Sequence, residues 1–421
     1  MLWLAGRCPD VCFSIYNFLV NFNNTAQLSS TVLASVSDFD PKPRPSHIIG
    51  CTEHASYILG LGGTVWKVDH LLTPRKPYIL ANVQQIIQIS CGVSHSLLLD
   101  FFGNVWSMGS GVSGKLGHGD SFTRMRPKRI ESLPVITYIG AGGGHSCFVD
   151  EDDSLWVTGL NDSGQLGLGT TQSCDVPMKV DGLCNVKTVQ CGSNHTIILT
   201  EFSSCWVTGA NSEGQLGLGN VSVQYSFVSL SKSIFTDISC GMNHSIFLDS
   251  KGRVFSCGDN QFGQLGLGKK KDRAFYTSLN RIRDIPPISQ ISSLQNHSIC
   301  IDEEGTAWVF GKNNFGQLGL FHQKDQPSPQ PLPGKYTLLC NGLSDHTILI
   351  NDYEVETAFG RNDKFQLGIQ CEGEIVCSPI QWEDYEHIFA PLDTKSGPCA
   401  LAVRQSHRFQ YVSISEYVRC S

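Results

Sequence analysis

Residues 191–219 read CGSNHTIILTEFSSCWVTGANSEGQLGLG, and most of the remaining sequence consists of diverged copies of this stretch. The histidine at its fifth position recurs at intervals of 41 to 53 residues. A fixed period of this length is the signature of a repeat architecture, in which each copy is one supersecondary unit. The seven histidines define seven copies, and they are His54, His95, His145, His195, His244, His297 and His346.

Each copy also carries glycine and glutamine at fixed distances from its histidine. Glycine stands 14 residues after each of the last six histidines, and a Gly-Gln pair stands 19 and 20 residues after four of them. Glycine adopts positive φ at no steric cost, and a glutamine amide can satisfy backbone groups in a loop. We therefore predict a structural role for Gly164, Gln165, Gly214, Gln215, Gly263, Gln264, Gly316 and Gln317, and for His95, His145, His195, His244, His297 and His346.

The Cys-Gly-x-x-His-Ser/Thr opening and the Gly-x-Asn-x-x-Gly-Gln-Leu-Gly close resemble the repeats of the regulator of chromosome condensation family. The resemblance implies an all-β fold, a seven-bladed β-propeller of four-stranded antiparallel blades. In the copy around His195, residues 178–180, 187–191, 195–199 and 205–208 are β-prone and separated by turns, which agrees with four strands per copy. The family includes an exchange factor for the Ran GTPase and many interaction scaffolds, so the fold alone assigns no function.

The repeat boundaries divide the chain into three segments. Residues 1–46 form an N-terminal segment that we expect to contribute strands to ring closure, and residues 47–370 hold the propeller repeats. Residues 371–421 are expected to hold an acidic loop at 372–386 and then closing strands at 399–403 and 409–414. Pairing of these closing strands with the N-terminal chain would remove the exposed sheet edges of an open array.

Composition argues against several classes of protein. The net charge of -7 predicts no direct DNA binding, because phosphate backbones attract basic surfaces. No membrane span is predicted, since the apolar run at 11–20 is too short to cross a bilayer and contains Asn17. The 17 cysteines include no Cys-x-x-Cys pair, which favours reduced, buried thiols in a protein of the cytoplasm or the nucleus. We expect a monomer.

The sequence predicts no catalytic residue, no metal site and no cofactor. Residues 109–115 match most of a phosphate-binding P-loop, but Leu116 stands where a hydroxyl must reach magnesium. We interpret this segment as a repeat loop with Lys115 in place of glutamine. Histidines on seven different blades cannot converge at about 2 Å from one metal ion. The sequence also lacks a nucleophile elbow, a paired-carboxylate motif and a zinc-protease signature.

Two basic clusters follow the Gly-Gln-Leu-Gly close, where we expect loops. Strand alternation would place both on the opposite face of the ring from the acidic hairpins at 150–153 and 302–304. A solvated loop is one interpretation, and a docking patch for an acidic or phosphorylated segment of a partner is the other. The candidate partner-binding residues are Arg124, Arg126, Lys128 and Arg129 in the first cluster and Lys269, Lys270, Lys271 and Arg273 in the second.

Three functions remain open at this point. The favoured one is a non-catalytic, regulatory platform for protein binding, since variable loops on a rigid scaffold are suited to that task. The second, implied by the resemblance, is guanine nucleotide exchange on a Ran-like or other small GTPase. Exchange needs no catalytic residue, only tighter binding to the nucleotide-free GTPase. Against the chromatin-bound Ran exchanger, the middle copies leave no room for an inserted wedge and neither terminus is lysine-rich. The third is a hydrolase with a site in the ring channel.

Overall fold

The structure, a computed structural model, describes residues 49–52, 55–59, 63–69, 78–230, 234–268, 273–339, 342–351, 356–363, 367 and 375–381. Within these residues, 28 strands form seven four-stranded antiparallel sheets, and each sheet is built from four consecutive strands. Helical structure in the described residues is confined to short 3-10 turns such as Val112–Gly114. The seven sheets are the blades of a β-propeller, which confirms the predicted fold class.

The first strand of each blade lies innermost, because the first strands of adjacent blades contact one another. Blade 1 contains β1 Ile49–Cys51, β2 Ala55–Leu59, β3 Val65–Asp69 and β4 Tyr78–Ile79. Blade 2 contains β5 Ile86–Cys91, β6 His95–Asp100, β7 Val105–Gly109 and β8 Arg124–Arg129. Blade 3 contains β9 Ile136–Ala141, β10 His145–Asp150, β11 Leu155–Gly159 and β12 Cys174–Lys179.

The remaining blades follow the same order. Blade 4 contains β13 Val186–Cys191, β14 His195–Thr200, β15 Cys205–Gly209 and β16 Gln224–Ser229. Blade 5 contains β17 Phe235–Cys240, β18 His244–Asp249, β19 Val254–Asp259 and β20 Phe275–Arg281. Blade 6 contains β21 Ile288–Ser293, β22 His297–Asp302, β23 Ala307–Gly311 and β24 Gln326–Pro331. Blade 7 contains β25 Tyr336–Leu339, β26 His346–Asn351, β27 Glu356–Arg361 and β28 Ile375–Gln381.

Burial within a blade explains why the repeats fold as they do. The second strand of blades 2 to 6 is buried at all six positions, because both of its faces lie against neighbouring blades. Such a strand carries a nearly continuous apolar run, as in HTIILT of β14. The outermost strand is instead largely exposed, as in β8 and β12. The core of the protein therefore lies between the blades rather than at their outer rim.

Adjacent blades share their hydrophobic clusters. One cluster joins Leu97 and Val105 of blade 2 to Ile139 and Phe148 of blade 3, and Trp156 packs against it. Burial of one such side chain stabilises the fold by about 1.5–3 kcal/mol. Large aromatic residues stand eleven positions after the histidine in five copies, and all five pack against such clusters: Trp106, Trp156, Trp206, Phe255 and Trp308.

Strand alternation gives the ring two distinct sides. The loops between third and fourth strands lie on one side, which we call the loop face; in blades 2 to 6 their described residues are 110–123, 160–173, 210–223, 260–268 with 273–274, and 312–325. The hairpins between second and third strands lie on the other side, the hairpin face, at residues 101–104, 151–154, 201–204, 250–253 and 303–306.

The structure differs from the sequence-based expectations in two places. The segment predicted as an acidic loop contains β28, in which Val376 is buried and pairs with Gly360 of β27. The first basic cluster, expected in a loop, forms strand β8, because an edge strand tolerates charged side chains that point into solvent. The expected closing strands at 399–403 and 409–414, and residues 1–46, lie outside the described residues.

Candidate interaction surface

Hydrogen bonds through the repeat histidine link each of blades 2 to 6 to the blade that follows it. His195 Nε2 of blade 4 lies 3.0 Å from Ser245 Oγ of blade 5, and that hydroxyl donates to the Gln215 carbonyl at 2.7 Å. Four other histidines make the same contact with a hydroxyl of the following blade: His95 with Ser146, His145 with Thr196, His244 with Ser298 and His297 with Thr347. Each of those hydroxyls also donates to a loop carbonyl of the preceding blade.

The relay fixes the protonation state of the imidazole. The hydroxyl has one proton and donates it to the carbonyl, so Nε2 must be the donor and Nδ1 carries no proton. The Nδ1 atom of His195 is buried without a partner, and the ring lies against Gly192, where an added Cβ would be 2.0 Å from Cε1. Burial lowers the pKa of His195 to about 3, and the same cause acts on His244 and His297. These imidazoles are neutral near pH 7.

The seventh junction departs from this pattern. His346 begins β26 and is buried, but blade 1 has Ala55 at the position of the hydroxyl. Alanine offers no hydroxyl, so the same relay cannot form between blades 7 and 1. His54 lies outside the described residues.

The Gly-Gln loops pack against the outermost strand of the next blade, farther from the ring axis than the histidine contacts. Gln215 Oε1 accepts the Glu213 N–H at 3.0 Å, and Asn211 Nδ2 donates to backbone carbonyls of the same loop. Gly214 has φ of +76, and a Cβ there would lie 2.4 Å from Cα of Thr277 in β20. Equivalent close approaches to the next outer strand occur at Gly164, Gly263 and Gly316, beside the buried Gln165, Gln264 and Gln317.

One set of potential metal ligands comes together in the core between blades 3 and 4. Ligand atoms of His145, Cys147 and Cys191 lie within 4.8 Å of one another, and all three residues are buried. The two sulfur atoms are 3.5 Å apart, and His145 Nε2 is already bonded to Thr196. Burial raises the pKa of Cys147 well above its usual range, which keeps this thiol protonated. Three ligands are one fewer than a structural zinc site uses.

The P-loop-like segment is built as a repeat loop. Lys115 occupies the glutamine position and is 6% exposed, and its Nζ donates to Ser94 Oγ at 2.9 Å. Its backbone carbonyl accepts the Ser146 hydroxyl, as the glutamines do in other copies. Burial lowers the pKa of Lys115. The ammonium is therefore committed to an internal hydrogen bond rather than displayed toward a phosphate.

The first basic cluster lies on the outer rim of blade 2. Arg124 is held by Asp120 through two hydrogen bonds of 2.7 and 2.8 Å, which hold the pKa of that carboxyl below its usual range. The other three cations, Arg126, Lys128 and Arg129, are exposed. Of these, Arg129 has one distant ion pair, at 3.7 Å from the exposed Glu131.

The pKa of His118 responds to the positive charges of β8. Its Nε2 is 2.9 Å from Ser107 Oγ, whose proton goes to the Leu116 carbonyl. Burial, followed by the charges of Arg124 and Lys128, lowers the pKa of His118 to about 4. The imidazole is neutral, so it adds no charge to the cluster.

Of the second basic cluster, the structure describes Arg273, which is exposed in the segment that leads to β20. Lys269, Lys270 and Lys271 lie outside the described residues. Arg273 belongs to blade 5, whereas β8 belongs to blade 2, so blades 3 and 4 separate Arg273 from the first cluster.

Two groups of surface residues escaped the sequence reasoning. Phe122 and Met125 lie beside the blade 2 cations and are 74% and 70% exposed, so the rim is apolar as well as basic. On the loop face, Lys312 Nζ is 3.2 Å from Asp345 Oδ1 and 5.4 Å from the ring centroid of Phe315. A position-by-position comparison of the copies could have found Lys312, because the same position holds Ser110, Leu160 and Ala210 in blades 2 to 4.

No helix capable of crossing a bilayer occurs in the described part of the chain.

The family model of the regulator of chromosome condensation (RCC1) repeat matches residues 103–149, 152–199, 204–248, 251–301 and 304–338, which together make up more than half of the chain. A second RCC1 repeat model matches within 136–165, 186–215, 235–264 and 288–317.

Individual relatives match over shorter stretches. The chain is 36% identical over 90 residues to the Regulator of chromosome condensation of Xenopus laevis, covering 21% of each protein. It is 34% identical over 88 residues to Protein RCC2 of Mus musculus, covering 20% of this chain and 17% of that protein. It is 44% identical over 52 residues to the Ultraviolet-B receptor UVR8 of Arabidopsis thaliana, covering 12% of each. The matches thus span about a fifth or less of these relatives.

Solved structures agree in fold. Human WBSCR16 superposes with a TM-score of 0.65 at 20% identity, covering 73% of this chain and 83% of that one. Yeast RCC1 (Prp20), solved bound to Kap60, gives a TM-score of 0.64 at 20% identity, covering 73% and 77%. Identity at this level speaks for the fold alone. The repeat matches, the seven blades and the fold likeness lead to one conclusion: the chain belongs to the regulator of chromosome condensation (RCC1) repeat family.

Proposed function

We propose that this propeller is a non-catalytic, regulatory platform that binds a protein partner through the rim of blade 2. The observation that carries the proposal is that the side chains shared by the copies are buried, whereas the side chains peculiar to blade 2 are exposed. The residues common to the copies, such as His195 and Gln215, are buried; the His195 ring and the Gln215 carbonyl bond to Ser245 of the next blade, and the Gln215 amide bonds within its own loop. The residues that distinguish blade 2 from the other blades, Arg126, Lys128 and Arg129, are exposed.

Edge protection alone does not account for these cations. Charged residues and proline on an edge strand prevent pairing with other chains, and Pro127 already serves that purpose in β8. The equivalent strands have far fewer cations: β12 has Lys179, β20 has Arg281, and β16, β24 and β28 have none. Four cations in β8 are therefore a property of blade 2.

The chemistry of the rim fits an acidic or phosphorylated segment. Arginine presents several donors that match carboxylate or phosphate oxygens. The neighbouring Phe122 and Met125 add exposed apolar surface, and aromatic residues, methionine and arginine are enriched at protein interfaces. The protein as a whole carries a charge of -7, so a local positive rim would select an acidic segment by its position rather than by bulk attraction.

Charge reversal on blade 2 tests the proposal. The triple variant R126E/K128E/R129E should lose at least about tenfold in affinity for a 12-residue peptide rich in aspartate and glutamate, or for its phosphoserine counterpart, by fluorescence anisotropy. The matched control K179E/K251E/R281E changes the net charge equally at exposed positions of blades 3 and 5. Equal losses in both variants, or no loss in the first, would refute a docking site on β8.

Guanine nucleotide exchange on a small GTPase is the second candidate. It is supported by family membership and by the fold likeness to yeast Prp20p, whose structure was described with its binding properties to Gsp1p and histones. Release of a fluorescent guanine nucleotide from a panel of purified GTPases tests it. Acceleration of any one of them would place exchange ahead of the platform.

The setting of the protein is part of the proposal. We infer a monomer in the cytoplasm or the nucleus, with no direct binding to DNA. The buried cysteines support a reducing compartment, since the ten cysteines whose side chains the structure describes are all free thiols. Sedimentation velocity and imaging of a tagged full chain test the two statements separately.

A further inference from the structure

The hairpins of the hairpin face share one rigid turn. In blade 2, Asp100 Oδ1 accepts the N–H groups of Phe102 and Asn104 at 3.0 and 2.9 Å. In blade 3, Asp150 Oδ1 does the same for Asp152 and Ser154. Thr200 of blade 4 accepts the Ser203 N–H on its carbonyl oxygen and the Ser204 N–H on its hydroxyl oxygen. The hairpins of blades 2 and 3 therefore have the same hydrogen-bonded turn, and the hairpin of blade 4 is closed by bonds to the residue at the corresponding position.

Backbone hydrogen bonds tie the tips of blades 2 to 4 together. Ile136 N donates to the Gly103 carbonyl at 2.9 Å, and Glu151 N donates to the Val135 carbonyl at 3.0 Å. The next junction repeats these bonds, from Val186 N to Asp153 O and from Glu201 N to Asn185 O. Hairpins and interblade connections thus alternate along one continuous arc, which we call the hairpin arc (residues 100–104, 133–136, 150–154, 181–187, 200–204 and 234–235).

Side chains along the hairpin arc alternate in chemistry. Phe102 and Val135 are exposed at one end, and Phe202 and Ile234 are 74% and 68% exposed at the other. Between them, the tip of blade 3 has acidic residues in place of phenylalanine: Glu151 and Asp152 are both exposed. The order along the ring is apolar, acidic, apolar.

Charge on the arc is predominantly negative. The described residues of the arc include one exposed cation, Lys187, and four exposed carboxylates, which are Glu151, Asp152, Asp181 and Glu201. A large exposed apolar surface flanked by charge of one sign marks an interaction site. The complementary ligand has positive charge in its middle and apolar groups at its ends.

We propose that the hairpin arc of blades 2 to 4 binds a partner segment in which basic side chains lie between two large apolar side chains. The apolar anchors sit on Phe102 with Val135 and on Phe202 with Ile234, and the basic groups pair with Glu151 and Asp152. The turns and the backbone bonds preorganise both anchor sites, so binding orders few protein groups. This surface shares no residue with β8 and selects the opposite charge.

Peptide selection on the immobilised full chain tests the inference. A random 12-residue library on phage should enrich sequences with lysine or arginine between two large apolar residues. Synthetic copies of the enriched peptides should lose at least about tenfold in affinity for F102S/F202S and for E151K/D152K. The matched control F275S/F321S removes phenylalanines that are 38% and 69% exposed, close to the 38% and 74% of Phe102 and Phe202, at the loop-face end of blade 5 and in the loop of blade 6, and should bind as the unmodified chain does.

Three outcomes would overturn the inference. The first is failure to enrich peptides with basic residues between two large apolar residues, whereas acidic peptides that lose binding to R126E/K128E/R129E would be assigned to β8. The second is equal binding to the F102S/F202S variant and to the control. The third is self-association of the unmodified chain that F102S/F202S abolishes in sedimentation velocity, because a second copy would then be the occupant of the arc.

Discussion

Thr196 is the position where the interblade relay can be cut most cleanly. Its hydroxyl lies 2.9 Å from His145 Nε2 and donates to the Gln165 carbonyl at 2.7 Å, inside the contact between blades 3 and 4. Thr196→Val replaces the hydroxyl by a methyl group of similar size. The substitution therefore removes two hydrogen bonds while it leaves the packing nearly unchanged.

The expected cost follows from the groups left behind. Both Thr196 and His145 are fully buried, so neither the imidazole N–H nor the carbonyl of Gln165 can turn to water. A buried polar group without a partner costs about 1–3 kcal/mol, so two such groups cost roughly 2–6 kcal/mol. Thr196→Ser keeps the hydroxyl and loses one methyl group, at about 1 kcal/mol.

Equilibrium urea unfolding, followed by tryptophan fluorescence, measures the difference between the two variants. The midpoint for Thr196→Val should fall well below that for Thr196→Ser at an unchanged slope. In a His145→Leu background, Thr196→Val should cost less than it does alone, because the donor has already gone. Equal midpoints for the two single variants, or strict additivity in the double variant, would refute the relay.

Further predictions follow from burial. His195, His244 and His297 have a folded pKa of about 3, so between pH 6.5 and pH 3 they bind protons only in the unfolded chain. Each should therefore lower the free energy of unfolding by about 2 kcal/mol at pH 5, and the loss should reverse above pH 6.5. Unfolding midpoints that do not change with pH would contradict this. Gly192→Ala forces Cβ into the His195 ring and should cost roughly 2–5 kcal/mol in thermal unfolding. In Gly182→Ala the added Cβ would have no atom within 4 Å, but the φ of +78 is unfavourable for alanine, so the free energy of unfolding should fall by about 1 kcal/mol. Maleimide should label the exposed Cys184 in the native protein but spare the buried Cys147 until urea is added, as peptide mass spectrometry would reveal.

The period of the sequence, together with the resemblance of its copies to the regulator of chromosome condensation repeats, was enough to predict the fold. Each copy repeats the same local signals, and a blade cannot bury its second strand without neighbours, so seven copies imply seven blades. The position of β28 was missed because its acidic neighbours dominate the composition of residues 371–386, whereas pairing with β27 and burial of Val376 decide the structure. Local composition is a weak guide where tertiary pairing supplies the stabilisation.

The candidate surfaces were only partly predictable. The basic residues of β8 were identified from the sequence, but their place on a rim depends on strand pairing with β7. The alternation of Phe102, Asp152 and Phe202 along the hairpin arc is visible in the aligned copies. It gains meaning only when backbone hydrogen bonds place the three tips side by side. Residues that differ between copies carry information that the repeat itself conceals.

The central claim is that the repeat histidines are neutral structural donors, which leaves binding to the exposed residues that vary between blades. Nitrogen-15 NMR of the full chain, labelled at histidine, reads the tautomer and charge of each imidazole directly. The relay predicts the neutral Nε2–H form at pH 7 for five histidines: His95, His145, His195, His244 and His297. For His195, His244 and His297, whose pKa is lowered to about 3, the same form should persist at pH 5 as long as the chain stays folded. Imidazolium signals of these three at pH 5 in the folded chain, or signals of the Nδ1–H form from any of the five, would contradict it.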